Sequence, residues 1–171
     1  MNSSRSQNFL ADFNAAPFDR AEEMLRPCAD VPRWTSEISF ARPFGTGAEL
    51  LSFAELAAPD WTAEEIDAAL AHHPRIGERA SGTGHEASMS RNEQSGIALS
   101  GGIREQLVEG NRRYEERFDR VFLIRAAGRS AEEILAVLNR RLENTAEDEL
   151  AATAAALREI AILRLEGLLD R

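Results

Sequence analysis

The sequence predicts an all-α protein folded as one compact domain, residues 1–171, with about eight helices, and three observations predict this. Apolar residues recur about every 3.6 residues along most of the chain, which is the period of an α-helix. The S/T-x-x-E pattern, in which a hydroxyl and a glutamate cap a helix start, occurs at four places. Only Val121–Arg125 has the character of an extended strand, and one strand alone cannot form a sheet.

The helices are placed by this periodicity and by the caps. The four capping patterns are Ser52/Glu55, Thr62/Glu65, Ser90/Glu93 and Ser130/Glu133. Between two helices, Gly77–Ser90 holds three glycines and three serines and predicts a surface loop of a length that is usually functional or mobile. The predicted helices are Pro17–Ala29, Trp34–Ala41, Ala48–Ala57, Thr62–His72, Asn92–Leu99, Ile103–Phe118, Ala131–Glu143 and Ala146–Leu169.

The net charge of the chain indicates which partners to expect, and its cysteine content indicates which compartment. With 29 acidic and 20 basic residues the net charge is -9, so phosphate backbones and anionic membrane surfaces would repel the chain. We therefore expect neither nucleic acid nor a membrane as a partner. Cys28 is the only cysteine, which suits a reducing compartment. The first residues lack the apolar run of a signal peptide, and we expect a cytoplasmic protein.

His73 is the first candidate for chemistry. With Thr62 as the N-cap, the apolar stripe of the helix runs through Ile66 and Leu70 and reaches His73 next. Pro74 disfavours helical geometry at the residue before it, so the imidazole lies at the negative end of the helix dipole, which favours its protonated form. Such a histidine can exchange a proton near neutral pH. The alternative is a core histidine that is bonded to a carbonyl.

Neither a metal site nor a catalytic carboxylate follows from spacing alone. The side chains of adjacent histidines, such as His72 and His73, diverge, and His85 with Glu78 and Glu86 matches no established zinc spacing, so we expect no metal. Glu93 is explained equally well as the glutamate of a capping box.

Arg164 is a further candidate for function, because it lies on the apolar stripe of the last predicted helix. Arginine is rarely buried unless its donors meet a carboxylate or a bound anion, and the sequence does not choose between an internal ion pair and an anion site. The apolar residues of that stripe are Leu150, Ala154, Leu157, Ala161 and Leu168.

Taken together, the motifs resemble the OHCU decarboxylase family, whose substrate is 2-oxo-4-hydroxy-4-carboxy-5-ureidoimidazoline (OHCU), the last unstable intermediate between urate and allantoin. The resemblance starts at NFLADFNAAPFDRAEEMLRPC and covers nearly the whole chain. The motifs that carry it occur in family order and spacing: HHPRIGER, SRNEQS, NRRYEERFDRVFLIRAAGRS, LNRRLEN and IAILRLEGLL.

This resemblance implies a family-specific helical fold, usually a homodimer, and assigns roles to residues. His73 and Glu93 resemble the catalytic pair. Arg75 and Arg125 depart from one branch of the family, which carries HPDLAG and a small residue or cysteine at those places, and match the bacterial branch. The residues that resemble the substrate-binding set are Pro74, Ser90, Gln94, Phe122, Leu123, Ile124, Arg125, Ala126 and Arg164.

The implied reaction needs no cofactor. The carboxylate of OHCU is attached to a carbon next to a ring C=N, so the electrons released with CO2 flow into that imine, as they would into a pyridoxal or thiamine cofactor elsewhere. The protein supplies orientation and a proton on one face, which gives (S)-allantoin. Two alternatives are a non-catalytic helical dimerisation module and a hydrolase of a related cyclic ureide.

Overall fold

The computed structural model describes residues 8–58, 60–71, 73–78, 85–94 and 100–170, without the side chains of His85, Glu86 and Glu93. Within these ranges the chain forms nine helices and no strand, which confirms the all-α prediction. The helices are α1 (Phe9–Ala15), α2 (Phe18–Leu25), α3 (Pro32–Phe40), α4 (Gly47–Ala57), α5 (Ala63–Leu70), α6 (His85–Gln94), α7 (Gly101–Phe118), α8 (Ala131–Arg141) and α9 (Ala146–Leu169).

Two of the four predicted capping boxes form at the start of a helix, and the other two do not. The capping boxes Thr62/Glu65 and Ser130/Glu133 are both formed, so these two predictions are confirmed. Ser52 lies inside α4, whose N-cap is Thr46, so its predicted capping box is wrong. Ser90 lies inside α6, so the Ser90/Glu93 box is wrong as well. A hydroxyl three residues before a glutamate is therefore a necessary pattern for a capping box, not a sufficient one.

Two segments differ from the predicted helices. The short helix α1 was not predicted; Asn8 caps it by accepting a hydrogen bond from Ala11 N at 3.4 Å. Residues 85–90, predicted as loop, are helical, and α6 ends at Gln94, where the prediction has a helix over 92–99. The α6 sequence HEASMSRNEQ has no apolar stripe, which is why periodicity failed there. Residues 95–99 lie outside the described ranges.

The chain divides into two compact units. The first takes in the chain up to Trp61 and from Arg158 onward. In it α3 packs on α2 and α4, and Trp34, fully buried, donates its indole N–H to Ala54 O at 3.0 Å and meets Trp61 edge to face. This bond satisfies the one polar atom of the largest side chain in that core. No helix in the described part of the chain is long and apolar enough to cross a membrane.

The second unit, Thr62–Leu157, has a core between α7, α8 and the non-helical segment 121–126. Gly110 brings α7 close to α8, because a Cβ there would lie 2.5 Å from a methyl carbon of the fully buried Leu138. Only glycine permits that approach without a shift of the core. The buried residues of this core are Ile76, Leu107, Tyr114, Phe122, Ile124, Ala126, Ile134, Leu138 and Leu142.

Candidate active site

His73 lies just beyond the end of α5, where its backbone N–H donates to Leu70 O at 2.9 Å. Its side chain is half-buried, and its Nδ1 lies 3.1 Å from the carbonyl oxygen of Ala69. Because a carbonyl oxygen only accepts, Nδ1 carries the hydrogen of this bond, and the lone pair of the neutral ring is on Nε2. The geometry matches the carbonyl-bonded histidine that was one of the two alternatives, and it also fixes the tautomer that a proton-transfer residue needs.

The loop that follows His73 is held at three points. Ile76, buried in the core, has its carbonyl oxygen bonded by Asn111 Nδ2 on α7 at 3.0 Å. Gly77, at φ 90°, takes a backbone conformation that glycine tolerates best, and its N–H donates to Gln94 Oε1 on α6 at 3.2 Å. Both contacts come from helices distant in sequence, so they fix where the loop lies.

Arg75 supplies the third point. Its Nε and Nη2 donate to the two carboxylate oxygens of Glu115 at 2.5 and 2.9 Å, and Glu78 lies 3.7 Å from its Nη1. The hydrogen bond and charge of Glu115 raise the pKa of Arg75. The side chain of Arg75 is 46% exposed, so solvent screens the ion pair, and the pair contributes to geometry more than to stability. Arg75 thus has a local role in orienting the loop.

Ser90 and Gln94 are four residues apart on α6 and therefore share a face. Ser90 is buried, with 3% of its surface exposed, and Gln94 is half-buried. Through the bond from Gln94 to Gly77, the structure joins this face to the loop after His73. Glu93 lies in α6, but its side chain, like the whole of His72, is outside the described part of the chain.

The segment from Phe122 to Ala126 is non-helical and largely buried, which accords with the extended character predicted for it. The carbonyl oxygen of Leu123 accepts a hydrogen bond from Arg141 Nη1 at 2.6 Å. The carbonyl of Arg125 accepts from Arg129 Nε at 3.1 Å, and that of Ala126 from the Arg129 N–H at 3.1 Å. Two neighbouring arginines therefore hold the backbone of the segment in place.

Sequence reasoning missed the polar network behind this segment. Arg141, which is 7% exposed, donates through Nε and Nη2 to Glu149 Oε1 at 2.7 and 2.5 Å and to Thr153 Oγ1 at 3.2 Å. Glu149 and Thr153 are fully buried on α9. The sequence held one indication of this network: Thr153 and Glu149 lie four and eight residues before Leu157, which is buried, and on the same face of the helix. The prediction placed Leu150 and Ala154 on the stripe instead, and both are only half-buried.

Two further side chains donate hydrogen bonds to the carboxylate of Glu149. The Tyr114 hydroxyl donates to its Oε1, and Asn144 Nδ2 donates to its Oε2 at 2.9 Å. Burial raises the pKa of Tyr114 to about 12, and the hydrogen bond to Glu149 contributes to this shift. The phenol therefore stays protonated and remains a donor over the physiological pH range. Several donors to one carboxylate offset part of the cost of burying it beside the guanidinium.

Arg164 lies on the buried face of α9, as predicted, with 4% of its surface exposed. Its neighbours on that face, Leu157, Ala161 and Leu165, are fully buried. Its Nη1 donates to the carbonyl oxygen of Pro27 at 2.9 Å. This bond satisfies one of the five donors of the guanidinium and ties α9 to the end of α2.

A family model and two solved structures are similar to the chain. The sequence model of OHCU decarboxylase matches residues 14–166. A crystal structure of OHCU decarboxylase in the presence of (S)-allantoin is similar at 25% identity and a TM-score of 0.71, over 87% of this chain and 99% of the other. A crystal structure of (S)-allantoin synthase has the same fold at 15% identity and a TM-score of 0.67, over 94% of this chain and 54% of the other. No curated protein sequence matches. The chain belongs to the OHCU decarboxylase family and is, with that family, a carboxy-lyase.

Proposed function

We propose that the chain decarboxylates OHCU to (S)-allantoin in urate degradation. The observation that carries this function is the family match over residues 14–166, which takes in every candidate site residue. The similarity to a decarboxylase whose crystal was studied with (S)-allantoin supports the same reaction. We treat the whole chain, 1–171, as one catalytic domain, because the family match extends through both compact units.

The reaction follows from the substrate and one positioned proton. When the bond between the ring carbon and the carboxylate breaks, CO2 leaves and the electron pair moves into the adjacent C=N. The imine nitrogen takes up a proton, which leaves an enol between the two ring carbons. The enol hydroxyl then loses its proton to become the ring C=O, a proton adds to the neighbouring ureido-bearing carbon, and allantoin results. No external electron sink is required, so we propose that the enzyme uses no cofactor. The tasks of the protein are to orient OHCU, exclude water and direct the proton to one face.

His73 is the proposed proton-transfer residue. Its Nδ1–H is committed to Ala69 O, so proton exchange with the hydroxyl and carboxylate end of OHCU takes place at Nε2. The Ala69 carbonyl belongs to the last turn of α5, and its negative dipole stabilises a positive charge on the ring while the proton is held. Glu93 is the proposed second catalytic residue, holding the histidine or bonding the ring hydroxyl.

The remaining candidate residues are proposed to bind OHCU, and contacts within the protein support a specific role for some of them. The Oε1 atom of Gln94 accepts a hydrogen bond from the Gly77 N–H, so the amide N–H groups of Gln94 are the ones proposed to donate to the substrate. The carbonyl of Leu123 already accepts a hydrogen bond from Arg141, so we propose that the backbone groups on either side of it bind the substrate. Arg164 is proposed to pair with an anionic or carbonyl edge. Pro74, Ser90, Phe122, Ile124, Arg125 and Ala126 complete the proposed set.

We also propose a cytoplasmic homodimer. Cys28 is free and buried, which suits a reducing compartment. Phe40 on α3 and Leu56 on α4 are 77% and 78% exposed in the single chain, and association of two copies would remove such apolar surface from water. Sedimentation of the purified protein at several concentrations measures the assembly, and a monomer at all of them would contradict this part of the proposal.

The activity is tested with OHCU generated immediately before the assay. The enzyme should release CO2 and consume OHCU well above the spontaneous rate, and His73→Asn should reduce that excess by about 10²- to 10⁴-fold. A folded wild-type protein that leaves the spontaneous rate unchanged would contradict the proposed function.

A further inference from the structure

The carbonyl of Leu123 is bound by a group that has no place in the reaction described above. Arg141 Nη1 donates to it at 2.6 Å, while the other donors of the same guanidinium go to Glu149 and Thr153. The guanidinium also lies over the Phe122 ring, 4.7 Å from its centroid. One buried side chain therefore holds both the backbone and a neighbouring ring of the segment 122–126.

The direction of one backbone donor follows from this contact. In a trans peptide the C=O and the following N–H point in opposite directions in one plane. With Leu123 O aimed at Arg141, the N–H of Ile124 is aimed directly away from the polar network. Among the described residues, none accepts a hydrogen bond from that N–H. It is a donor that the fold has oriented and left available.

We propose that Arg141 is a positioning residue for decarboxylation: by gripping Leu123 O it aims the Ile124 N–H at a carbonyl oxygen of the ureido-imidazoline substrate. This inference rests on the proposed function, since it takes the segment 122–126 as part of the OHCU site. Arg141 itself touches no substrate; it acts through the peptide between Leu123 and Ile124.

The network makes Arg141 suitable for this task. Glu149 receives hydrogen bonds from Arg141, Tyr114 and Asn144, and so holds the guanidinium in a single orientation. A planar fork with several fixed bonds can define the direction of one further bond, whereas a lysine ammonium on its flexible stem cannot. Arg141 therefore sets the direction of the peptide between Leu123 and Ile124 without entering the site.

The test compares two variants of the same network. Arg141→Lys keeps a cation beside Glu149 but loses the planar fork that reaches Leu123 O. Tyr114→Phe removes one hydrogen bond to Glu149 and leaves Leu123 O untouched. We expect Arg141→Lys to lower kcat/KM for OHCU by about tenfold to a hundredfold, because small misplacements have large kinetic effects. Tyr114→Phe should stay within about twofold of wild type, whatever its change in melting temperature.

A second readout does not depend on turnover. In the amide NMR spectrum, the Ile124 N–H signal should shift on addition of (S)-allantoin to wild type and to Tyr114→Phe, and should fail to shift in Arg141→Lys. If Arg141→Lys does not fold, Glu149→Gln, which retains hydrogen bonds to Arg141, should show a smaller loss of the same response. A wild-type protein without OHCU turnover would refute the proposed function, while the Ile124 signal would still decide the role of Arg141.

Two results would overturn the inference. One is equal loss of kcat/KM in Arg141→Lys and Tyr114→Phe, which would make the network structural only. The other is an Ile124 signal whose response to (S)-allantoin is the same in wild type and Arg141→Lys, or in wild type and Glu149→Gln if that variant has to be used.

Discussion

His73 Nδ1 donates to the carbonyl oxygen of Ala69, 3.1 Å away and four residues earlier in the chain. The bond links the candidate catalytic imidazole to the last turn of α5, and the loop after it is linked to α7 and α6 through Asn111 and Gln94. One ring nitrogen is therefore fixed to the scaffold, and the other is the one that we propose exchanges the proton.

We expect His73→Asn to abolish most of the decarboxylation with little change in stability. Asparagine can still donate to Ala69 O, but it has no group that exchanges a proton near neutral pH. The loss should be about 10²- to 10⁴-fold in kcat. Ser130→Ala, which removes the N-cap of α8 and should cost about 1 kcal/mol, is the control for stability loss and should keep full activity. Near-normal turnover in folded His73→Asn would exclude the residue from catalysis.

Glu93→Gln separates a catalytic carboxylate from a structural one. Because Ser90 lies inside α6, Glu93 does not complete a capping box there, and glutamine should cost no more than a few tenths of a kcal/mol. We expect turnover to fall by at least about 10²-fold with an unchanged melting temperature. Glu133→Gln, in a real capping box, is the matched control and should remain active. Full activity in Glu93→Gln would leave this glutamate without a catalytic role.

Arg164→Met tests whether the buried guanidinium serves substrate or fold. Loss of the bond to Pro27 O should lower the free energy of unfolding by about 1 kcal/mol, and turnover should fall sharply because the proposed substrate-binding guanidinium is gone. Arg158→Met, on the same helix, should retain activity. If Arg164→Met instead loses about 3 to 5 kcal/mol and still converts OHCU at the normal rate, the arginine belongs to an internal ion pair.

The fold was predictable where local signals are strong. The bounds of α9 match the prediction, and the capping boxes at Thr62 and Ser130 mark the starts of α5 and α8, because these features depend only on neighbouring residues. The polar helix α6 was not predictable in this way, since it has no apolar stripe to reveal its period. Its position is set by contacts such as that between Gln94 and the loop after His73.

The same distinction applies to the candidate site: residues marked by a local pattern could be predicted, and contacts made by long-range packing could not. His73 at a helix end and Arg164 on an apolar stripe could be singled out from local pattern, and both lie where that pattern placed them. The bond between Arg141 and Leu123 joins residues 18 positions apart, and that between Asn111 and Ile76 joins residues 35 apart. Such pairs arise from the packing of α7 and α8 against non-helical segments, and no spacing rule in the sequence encodes them.

Tyr114 offers a test of the buried network through pH. It is the only tyrosine, so tyrosinate absorbance reports it alone. Its pKa is raised from 10.0 to about 12 by burial and by Glu149, so its contribution to stability is complete below pH 10 and is lost as pH rises toward 12. We expect the absorbance to appear near pH 12 in the native protein and near pH 10 in denaturant. A native midpoint near 10 would show that the phenol is not held in the network.

The most direct test of the account is the enantiomeric composition of the allantoin formed from fresh OHCU. Wild-type enzyme should give an excess of (S)-allantoin, because the proton reaches one face of a bound intermediate. His73→Asn should give the nearly racemic product of the spontaneous reaction at close to the spontaneous rate. Racemic allantoin from active wild-type protein, or an undiminished (S) excess at the wild-type rate from His73→Asn, would contradict the claim that this histidine organises the decarboxylation.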